Sequence, residues 1–242
     1  EKLKFSYVPG ETVINNFSLN IRKGERIAIV GATGSGKSTI INLLCRFYDF
    51  QHGDILIDDI SIKNFDLFSL RNHISVVLQD VFLFADSLYN NITLFNEKIS
   101  RDKVINASKE LGVHEFIESL PGGYNYNVKE RGIMLSSGQR QLIAFLRAYL
   151  IEPSILVLDE ATSSVDSYTE DSIQQAIKTI TNGKTSIIIA HRLTTIMNAD
   201  KIVVLENGKI VEQGTHEELI KISGGHYSNL YEVQFSKELS SV

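Results

Sequence analysis

The chain is poor in the features that define several protein classes. Its single cysteine, Cys45, cannot form a disulfide within the chain, which implies a reducing compartment, and its place on an apolar helix face predicts a buried, inert thiol. No apolar run exceeds about five residues, far below the roughly 18 that a membrane-spanning helix needs. No signal peptide is recognisable. A net charge of −5 argues against a nucleic-acid surface, so we expect no nucleic-acid partner.

Length and composition are those of an ordinary globular protein. With 242 residues, 43% of them hydrophobic, the chain can bury a large core as one large domain or two small ones. It contains no internal repeat and no low-complexity tract. The first residue is Glu1, and Leu3-Lys4-Phe5 is typical of a strand entered midway. We therefore expect a piece of a longer polypeptide, whose membrane part would lie outside this sequence.

A glycine-rich loop dominates the first third of the chain. Gly31-Ala32-Thr33-Gly34-Ser35-Gly36-Lys37-Ser38 fits the pattern G-x-x-x-x-G-K-[ST] without a mismatch. An apolar strand is predicted before it over Arg26–Val30, and apolar residues at helical spacing follow over 39–47. Such a loop turns backbone N–H groups toward one anion, while Lys37 reaches the β- and γ-phosphates and Ser38 holds Mg²⁺. The alternative is a glycine-rich turn that matches by chance.

Hydrophobic periodicity predicts an α/β core interrupted by helices. Strands dominate up to about residue 86, including one over 13–21, and helical spacing then appears at 101–111, His114–Ser119 and Ser137–Ile151. The α/β pattern resumes after Pro153, and residues 236–242 are expected to fray. We predict one domain over 1–242: a P-loop NTPase core with a mostly parallel sheet, an N-terminal antiparallel β-subdomain, and an α-helical subdomain inserted at about 87–151.

Two further stretches carry candidate chemistry. Four apolar residues end in Asp159 and Glu160, so both acids would lie at the carboxyl end of a parallel strand, where ligands gather. Asp159 could hold Mg²⁺ through water, and Glu160 could deprotonate the attacking water. The small residues of Leu135-Ser136-Ser137-Gly138-Gln139 precede a long helix and could bind an anion at its N-terminus. The alternatives are solvated acids after an ordinary strand, and an ordinary helix cap.

With these motifs the sequence resembles the nucleotide-binding domain of the ATP-binding cassette family over nearly its whole length. The motifs occur in the family's order, from Tyr7 and the glycine loop to His191. The resemblance implies that adenine stacks on Tyr7 and that Gln79 touches Mg²⁺ and water and senses a membrane domain. A strand-end aromatic and a plain strand-end amide are the alternatives for these two residues. The implied nucleotide-binding set is Tyr7, Gly31, Thr33, Gly34, Ser35, Gly36, Lys37, Ser38 and Thr39.

The resemblance also implies a catalytic set and a subunit interface. The catalytic residues are Glu160, His191, Lys37 and Gln79, with His191 on the γ-phosphate, and the metal residues are Ser38, Gln79 and Asp159. Asp166 would lie at the interface of a dimer. The signature Ser136, Ser137, Gly138 and Gln139 would act on ATP held by the second subunit. The family usually has glycine at position 137, so Ser137 is a departure.

A finer resemblance is to exporters. Residues 79–84 (Gln-Asp-Val-Phe-Leu-Phe), 87–92 and 128–132 look like half-transporters that carry a membrane domain and then a cassette, although Asn127 stands where exporters often have glutamate. The resemblance implies a motor that hydrolyses ATP with Mg²⁺ to drive export. Its partners would be a second nucleotide-binding domain, forming a homodimer, and the transmembrane domain of the same polypeptide, at the cytoplasmic face of a membrane.

Two other functions remain as alternatives. A non-transport cassette ATPase would act in translation or DNA repair. However, the translation type carries two cassettes in tandem, and the repair type contains a long coiled coil, for which no heptad run is present. A nucleotide-sensing module without catalysis is disfavoured by the intact Glu160 and His191.

Overall fold

The structure is a computed structural model that describes residues 2–159, 167–190 and 192–239. These residues divide into two compact units, one drawn from 2–74, 157–159, 185–190 and 192–239, the other from 75–156 and 167–184. Within the described ranges, every helix falls short of the length and apolarity that crossing a bilayer requires. The predicted residues Glu160, Asp166 and His191 lie outside the described ranges.

Strands and helices alternate at both ends of the described chain, and helices dominate its middle. The strands are β1 (Leu3–Ser6), β2 (Thr12–Phe17), β3 (Arg26–Val30), β4 (Leu56–Ile57), β5 (Ile60–Ser61), β6 (Ile74–Val77), β7 (Ile155–Asp159), β8 (Thr185–Ile189), β9 (Lys201–Glu206) and β10 (Lys209–Gly214). The helices are α1 (Lys37–Leu44), α2 (Leu67–His73), α3 (Leu88–Thr93), α4 (Arg101–Glu110), α5 (His114–Ser119), α6 (Ser137–Ile151), α7 (Ser167–Thr181), α8 (Leu193–Met197), α9 (His216–Leu219) and α10 (His226–Leu239).

The largest sheet is mostly parallel and six-stranded, in the order β10-β9-β3-β8-β7-β6. Strand β3 pairs in parallel with β8, with Ile29 opposite Ile189, and with β9 on its other side. Ile27, Ala28 and Ile29 are fully buried, as expected for a central parallel strand that is covered on both faces. The carboxyl end of β3 therefore delivers Gly31 to the sheet edge where ligands of parallel sheets bind.

Two small antiparallel sheets accompany this core. Strands β1 and β2 pair with Leu3 opposite Phe17 and Phe5 opposite Ile14, and β4 pairs with β5 as a short hairpin. Leu3 and Phe5 are buried while Lys4 between them is exposed, the alternation of a strand with one buried face. This sheet carries Tyr7, which directly follows β1.

The second unit is built around α6. Its buried face includes Ile143, Phe145 and Leu146, and the Arg147 guanidinium donates to the backbone oxygens of Asn91 at 2.7 Å and Phe82 at 2.9 Å. Burial lowers the pKa of Arg147 to about 10. These bonds fix the loop that follows β6 to the helix that starts at the signature.

The predicted fold class is confirmed, with corrections at several element ends. Strand β2 stops at Phe17 rather than continuing to residue 21, and helices α3, α8 and α10 were not predicted. The start of α10 depends on a distant residue, because the Glu212 carboxylate accepts from the amides of His226 and Tyr227. Cys45 is buried as predicted, and burial raises the pKa of its thiol to about 11, so the unreactive thiol form prevails. The domain boundaries inferred from the sequence stay a prediction.

Candidate nucleotide-binding site

The glycine loop connects the end of β3 to the start of α1, and its glycines are required by space as well as by conformation. At Gly31 φ is +152°, and a Cβ there would lie 2.2 Å from the backbone oxygen of Leu205. At Gly36 φ is +106°, and a Cβ would lie 2.8 Å from Ile14 Cδ1. Only glycine therefore fits this path of the backbone.

The N-terminus of α1 is open to an anion. Its N-cap residue is Gly36, which provides no side-chain cap, and the first bond within the helix runs from the amide of Ile40 to the Gly36 oxygen at 3.2 Å. The amides of Lys37, Ser38 and Thr39 precede this bond and have no partner in the helix. Together with the helix dipole, they form the kind of site that binds phosphate oxygens.

Lys37 folds back over the loop. Its ammonium donates to the backbone oxygens of Gly31 at 2.8 Å and Ala32 at 3.0 Å, and only 8% of the residue is exposed. Burial lowers the pKa of Lys37, and the negative charge of Asp159 at the end of β7 opposes that shift. The ammonium over the loop thus experiences the charge of the Asp159 carboxylate, and a carboxylate of this kind is a ligand type that Mg²⁺ prefers.

Ser35 provides a direct test of whether the loop fits a ligand. Its Oγ is buried and has no hydrogen-bond partner among the described residues. Buried hydroxyls are almost always partnered in native proteins, so this one indicates a ligand oxygen or ordered water. Exposed Ser38 offers a further hydroxyl at the start of α1. The loop therefore fits a nucleotide phosphate, and the oxygens of Ser38 and Asp159 are ligands of the type that Mg²⁺ prefers.

Tyr7 lies within reach of the same helix. Its hydroxyl donates to Thr39 Oγ1 at 3.3 Å and accepts from Asn42 Nδ2 at 3.3 Å. The ring makes edge contacts with Phe5 and Tyr48 and is 44% exposed. The structure thus brings Tyr7, the glycine loop and Asp159 into one unit. Sequence reasoning missed Asn42 and Tyr48; the spacing of Thr39 and Asn42 on one helix face is the signal that could have indicated Asn42.

The signature residues begin α6, in the other unit. Ser136 is the N-cap, and its Oγ accepts from the amide of Gln139 at 3.2 Å while Gln139 Oε1 accepts from the amide of Ser136 at 2.9 Å. This capping box leaves the amides of Ser137 and Gly138 as the ones that precede the first helical bond. Ser137 is exposed and Gly138 is buried.

Gln79 lies just after β6 and is exposed. It lines a groove of about 900 Å³ together with Phe82, Glu130, Arg131 and Arg140 among others. Close by in sequence, Phe82, Phe84 and Phe95 form a chain of edge contacts, with ring centroids 5.2 Å and 5.7 Å apart, and each is about half exposed.

Position 127 has a local structural role. The Asn127 side-chain oxygen accepts from the amide of Lys129 at 2.9 Å, and its backbone bridges to Ser87. Since Lys129 lines the groove around Gln79, Asn127 shapes one wall of it.

Comparison with known proteins identifies the family. The sequence profile of the family described as "ABC transporter" matches residues 14–163. The chain is 48% identical over 232 residues to "Probable multidrug resistance ABC transporter ATP-binding/permease protein YheH" of Bacillus subtilis, a match that covers 96% of this chain and 34% of that protein. It is also 48% identical over 236 residues to "Uncharacterized ABC transporter ATP-binding protein YknV" of the same species, covering 98% of this chain and 39% of that protein.

A solved structure agrees. The structure described as that of "a bacterial Atm1-family ABC exporter with ATP bound" matches with a TM-score of 0.90 at 39% identity, covering 97% of this chain and 41% of that chain. The chain thus spans well under half the length of the relatives it matches. The fold and the glycine loop define a nucleotide-binding domain of the P-loop class. The chain belongs to the ABC transporter family, whose nucleotide-binding domains are ATPases.

Proposed function

We propose that this chain hydrolyses MgATP as the motor domain of an exporter. The observation that carries the proposal is the open N-terminus of α1, where three consecutive amides, the buried Ser35 hydroxyl and the Lys37 ammonium surround one loop. Such a constellation suits the phosphate chain of a nucleotide. The exporter role is supported by two related proteins, one described as a multidrug resistance ABC transporter and one as an ABC exporter.

Binding follows from the loop. The phosphate chain lies on the loop amides and on those of Lys37, Ser38 and Thr39, and the Lys37 ammonium leaves its backbone acceptors for the β- and γ-phosphates. Adenine stacks on the exposed part of Tyr7. The residues that would hold Mg²⁺ are Ser38, Gln79 and, through water, Asp159, and the ion would supply neutralisation of the phosphate charge.

Hydrolysis needs a base for the attacking water. Glu160 follows Asp159 directly, so we assign it as the group that takes a proton from water as the water oxygen attacks the γ-phosphorus. The bond between that phosphorus and the bridging oxygen breaks, and ADP leaves with the bond's electrons. Lys37 and His191 stabilise the charge on the transferred phosphoryl group, and Gln79 orients the water.

Assembly follows from the two kinds of helix start. The signature amides of Ser137 and Gly138 remain open beside the capping box, so they can receive the γ-phosphate of ATP held by a second copy. A two-fold axis would make this contact twice, with Asp166 at the interface. ADP lacks the γ-phosphate and would release the pair, so a homodimer would close with ATP and reopen after hydrolysis.

The membrane partner is proposed to dock on the groove around Gln79. That groove lies beside Phe82, and exposed aromatic side chains such as Phe82, Phe84 and Phe95 are typical of interaction surfaces. Two of the related proteins are described as an ATP-binding/permease protein and an exporter. We therefore place the chain at the cytoplasmic face of a membrane, attached to a transmembrane domain of the same polypeptide.

The decisive variant is Glu160→Gln, which keeps the size of the side chain and removes the base. We expect ATP binding to persist and turnover to fall by roughly 10²–10⁴, the usual contribution of a general base. Glu97→Gln, an exposed glutamate before α4, is the matched control and should hydrolyse ATP at the parental rate. An unchanged rate for Glu160→Gln would remove Glu160 from its assigned role.

The same variant tests assembly. By sedimentation, Glu160→Gln should be a monomer without nucleotide and a dimer with saturating MgATP at high protein concentration, because stalled hydrolysis preserves the bridging γ-phosphate. A monomer under those conditions, or a dimer that is indifferent to nucleotide, would count against the two-fold arrangement.

A further inference from the structure

Asn42, on the second turn of α1, contacts Tyr7, and this contact plays no part in phosphate binding. Its Nδ2 donates to the hydroxyl of Tyr7 at 3.3 Å, and that hydroxyl donates to Thr39 Oγ1 at 3.3 Å. Asn42 and Thr39 lie three residues apart, so both project from the same face of the helix. The phenol is therefore held between two points of one rigid helix.

The three groups form a chain of hydrogen bonds that runs in one direction. The side-chain NH₂ group of Asn42 donates to the Tyr7 oxygen. The hydroxyl proton of Tyr7 is therefore free to be donated to Thr39 Oγ1. Bonds arranged in this way polarise and strengthen one another. Because Thr39 is 7% exposed, the acceptor end of the chain is shielded from competing water.

The Tyr7 ring is held as well as its hydroxyl. Its centroid lies 4.8 Å from that of Phe5 with an interplanar angle of 85°, and 5.0 Å from that of Tyr48 with an angle of 87°. Phe5 is itself buried in the first sheet. Tyr7 nevertheless keeps 44% of its surface exposed. An aromatic ring that is fixed from two sides and still accessible is suited to receive another flat ring.

We propose that Asn42 is a positioning residue for Tyr7, which it holds in the orientation that stacks on the base of the nucleotide. The inference rests on the proposed adenine contact of Tyr7 and adds the residue that sets its geometry. A free tyrosine would have to be ordered when the nucleotide binds, whereas an anchored one has already lost that freedom. Asn42 thus acts through Tyr7 and touches neither the base nor the phosphates.

A positioning role for Asn42 also limits which ligands the residue should affect. Stacking uses the π-face that every base possesses, so the anchor should favour adenine and guanine nucleotides alike. It should contribute nothing to a ligand that has phosphates and no base. Inorganic tripolyphosphate is such a ligand, since it can occupy the glycine loop without reaching Tyr7.

The test compares Asn42→Leu, Tyr7→Phe and the double variant by calorimetric titration with ADP, GDP and tripolyphosphate. Leucine has the shape of asparagine, lacks the donor and is the better helix former, so folding should be preserved. We expect each single variant to bind ADP and GDP about three- to tenfold more weakly, the scale of ordering one side chain. The double variant should be no weaker than either single one, and tripolyphosphate affinity should stay at the parental value.

The control is Asn106→Leu, the same exchange at an exposed position of α4, which should leave all three affinities unchanged. Parental ADP affinity for Asn42→Leu and Tyr7→Phe, with weaker binding by Tyr7→Ala, would overturn the positioning role and leave the adenine contact standing. Parental affinity for Tyr7→Ala would instead overturn the adenine contact. An equal loss of tripolyphosphate binding would show damage to the glycine loop, and tighter binding of ADP would show that Asn42 holds Tyr7 away from the base; both results contradict the proposal.

Discussion

Helices α1 and α6 both begin at residues that the sequence marks as anion sites, yet the two helix starts are built differently. Helix α1 starts at Gly36, which has a positive φ and provides no cap. Helix α6 starts at Ser136, whose side chain joins that of Gln139 in a complete capping box. One start leaves its first amides to a ligand, and the other satisfies part of them within the protein.

The difference shows how a ligand site can be told from a stable helix end. A glycine N-cap is less favourable than a serine one by roughly a few tenths of a kcal/mol, so α1 does without a side-chain cap at little cost in stability. At Gly36 a capping side chain would be strained, because φ is +106° and its Cβ would lie 2.8 Å from Ile14 Cδ1. At α6 the cap takes the amide of Gln139 and leaves those of Ser137 and Gly138. The first amides of α1 are thus available only to a ligand. The start of α6 is instead a capped helix end in which the amides of Ser137 and Gly138 remain available.

Removing the cation of the first site should have the largest effect. Lys37→Ala should weaken ATP binding by roughly 10–100-fold, because charge-assisted hydrogen bonds to a phosphate contribute about 1.5–3 kcal/mol. Nucleotide titration of the folded variant measures this loss directly.

Lys184→Ala is the matched control for that variant. The pKa of Lys184 is also lowered by burial, and Lys184 belongs to the other unit. It should bind ATP like the parent protein. Equal losses for the two lysines would mean that a buried charge, rather than the glycine loop, governs the affinity.

Several elements whose formation depends on a local residue pattern could be predicted from the sequence. Helices α5 and α6 were predicted at their observed bounds, and β3 was predicted residue by residue, because their apolar spacing and flanking turn signals are complete. The glycine loop could be predicted for the same reason, since Gly31 to Ser38 are contiguous. The second capping box, which joins Thr215 and Glu218, also consists of residues only three positions apart.

Features that depend on distant residues escaped prediction. Helix α10 starts where Glu212 of β10 meets its first amides, a contact that no local window contains. Helix α8 spans five residues, too few for a period of 3.6 to be recognised. The anchoring of Tyr7 by Asn42 joins residues that are 35 positions apart. The roles assigned to Glu160, Asp166 and His191 stay predictions, because these residues lie outside the described ranges.

Giving α1 the cap of α6 should have an intermediate effect. In Gly36→Ser the new Cβ meets Ile14 Cδ1 at 2.8 Å, and a left-handed conformation costs a non-glycine residue about 1–2 kcal/mol. We expect a lower midpoint of thermal unfolding and about tenfold weaker ATP binding, since the displaced loop no longer presents its amides.

Gly122→Ser is the control that has the backbone strain of Gly36→Ser without its steric clash. Gly122 also has a positive φ, of +87°, but nothing lies within 4 Å of its Cβ position. This variant should lose stability and keep its ATP affinity. If both variants lost affinity alike, the loop geometry at Gly36 would not be the cause.

The smallest effect is expected from removing the cap of α6. Ser136→Ala should lower the free energy of unfolding by about 1 kcal/mol through loss of the bond to the Gln139 amide. Thr215→Ala removes the cap of the other box and should cost a similar amount.

The two variants should differ in function. Both should bind ATP as the parent does, because neither touches the glycine loop. Only Ser136→Ala should lose ATPase activity at high protein concentration, where the signature meets a second copy. Denaturant unfolding and ATPase assays over a range of protein concentrations measure the two effects. Parental activity for Ser136→Ala, with the expected loss of stability, would reduce Ser136 to a helix cap and leave the amides of Ser137 and Gly138 as the signature's contribution to the γ-phosphate.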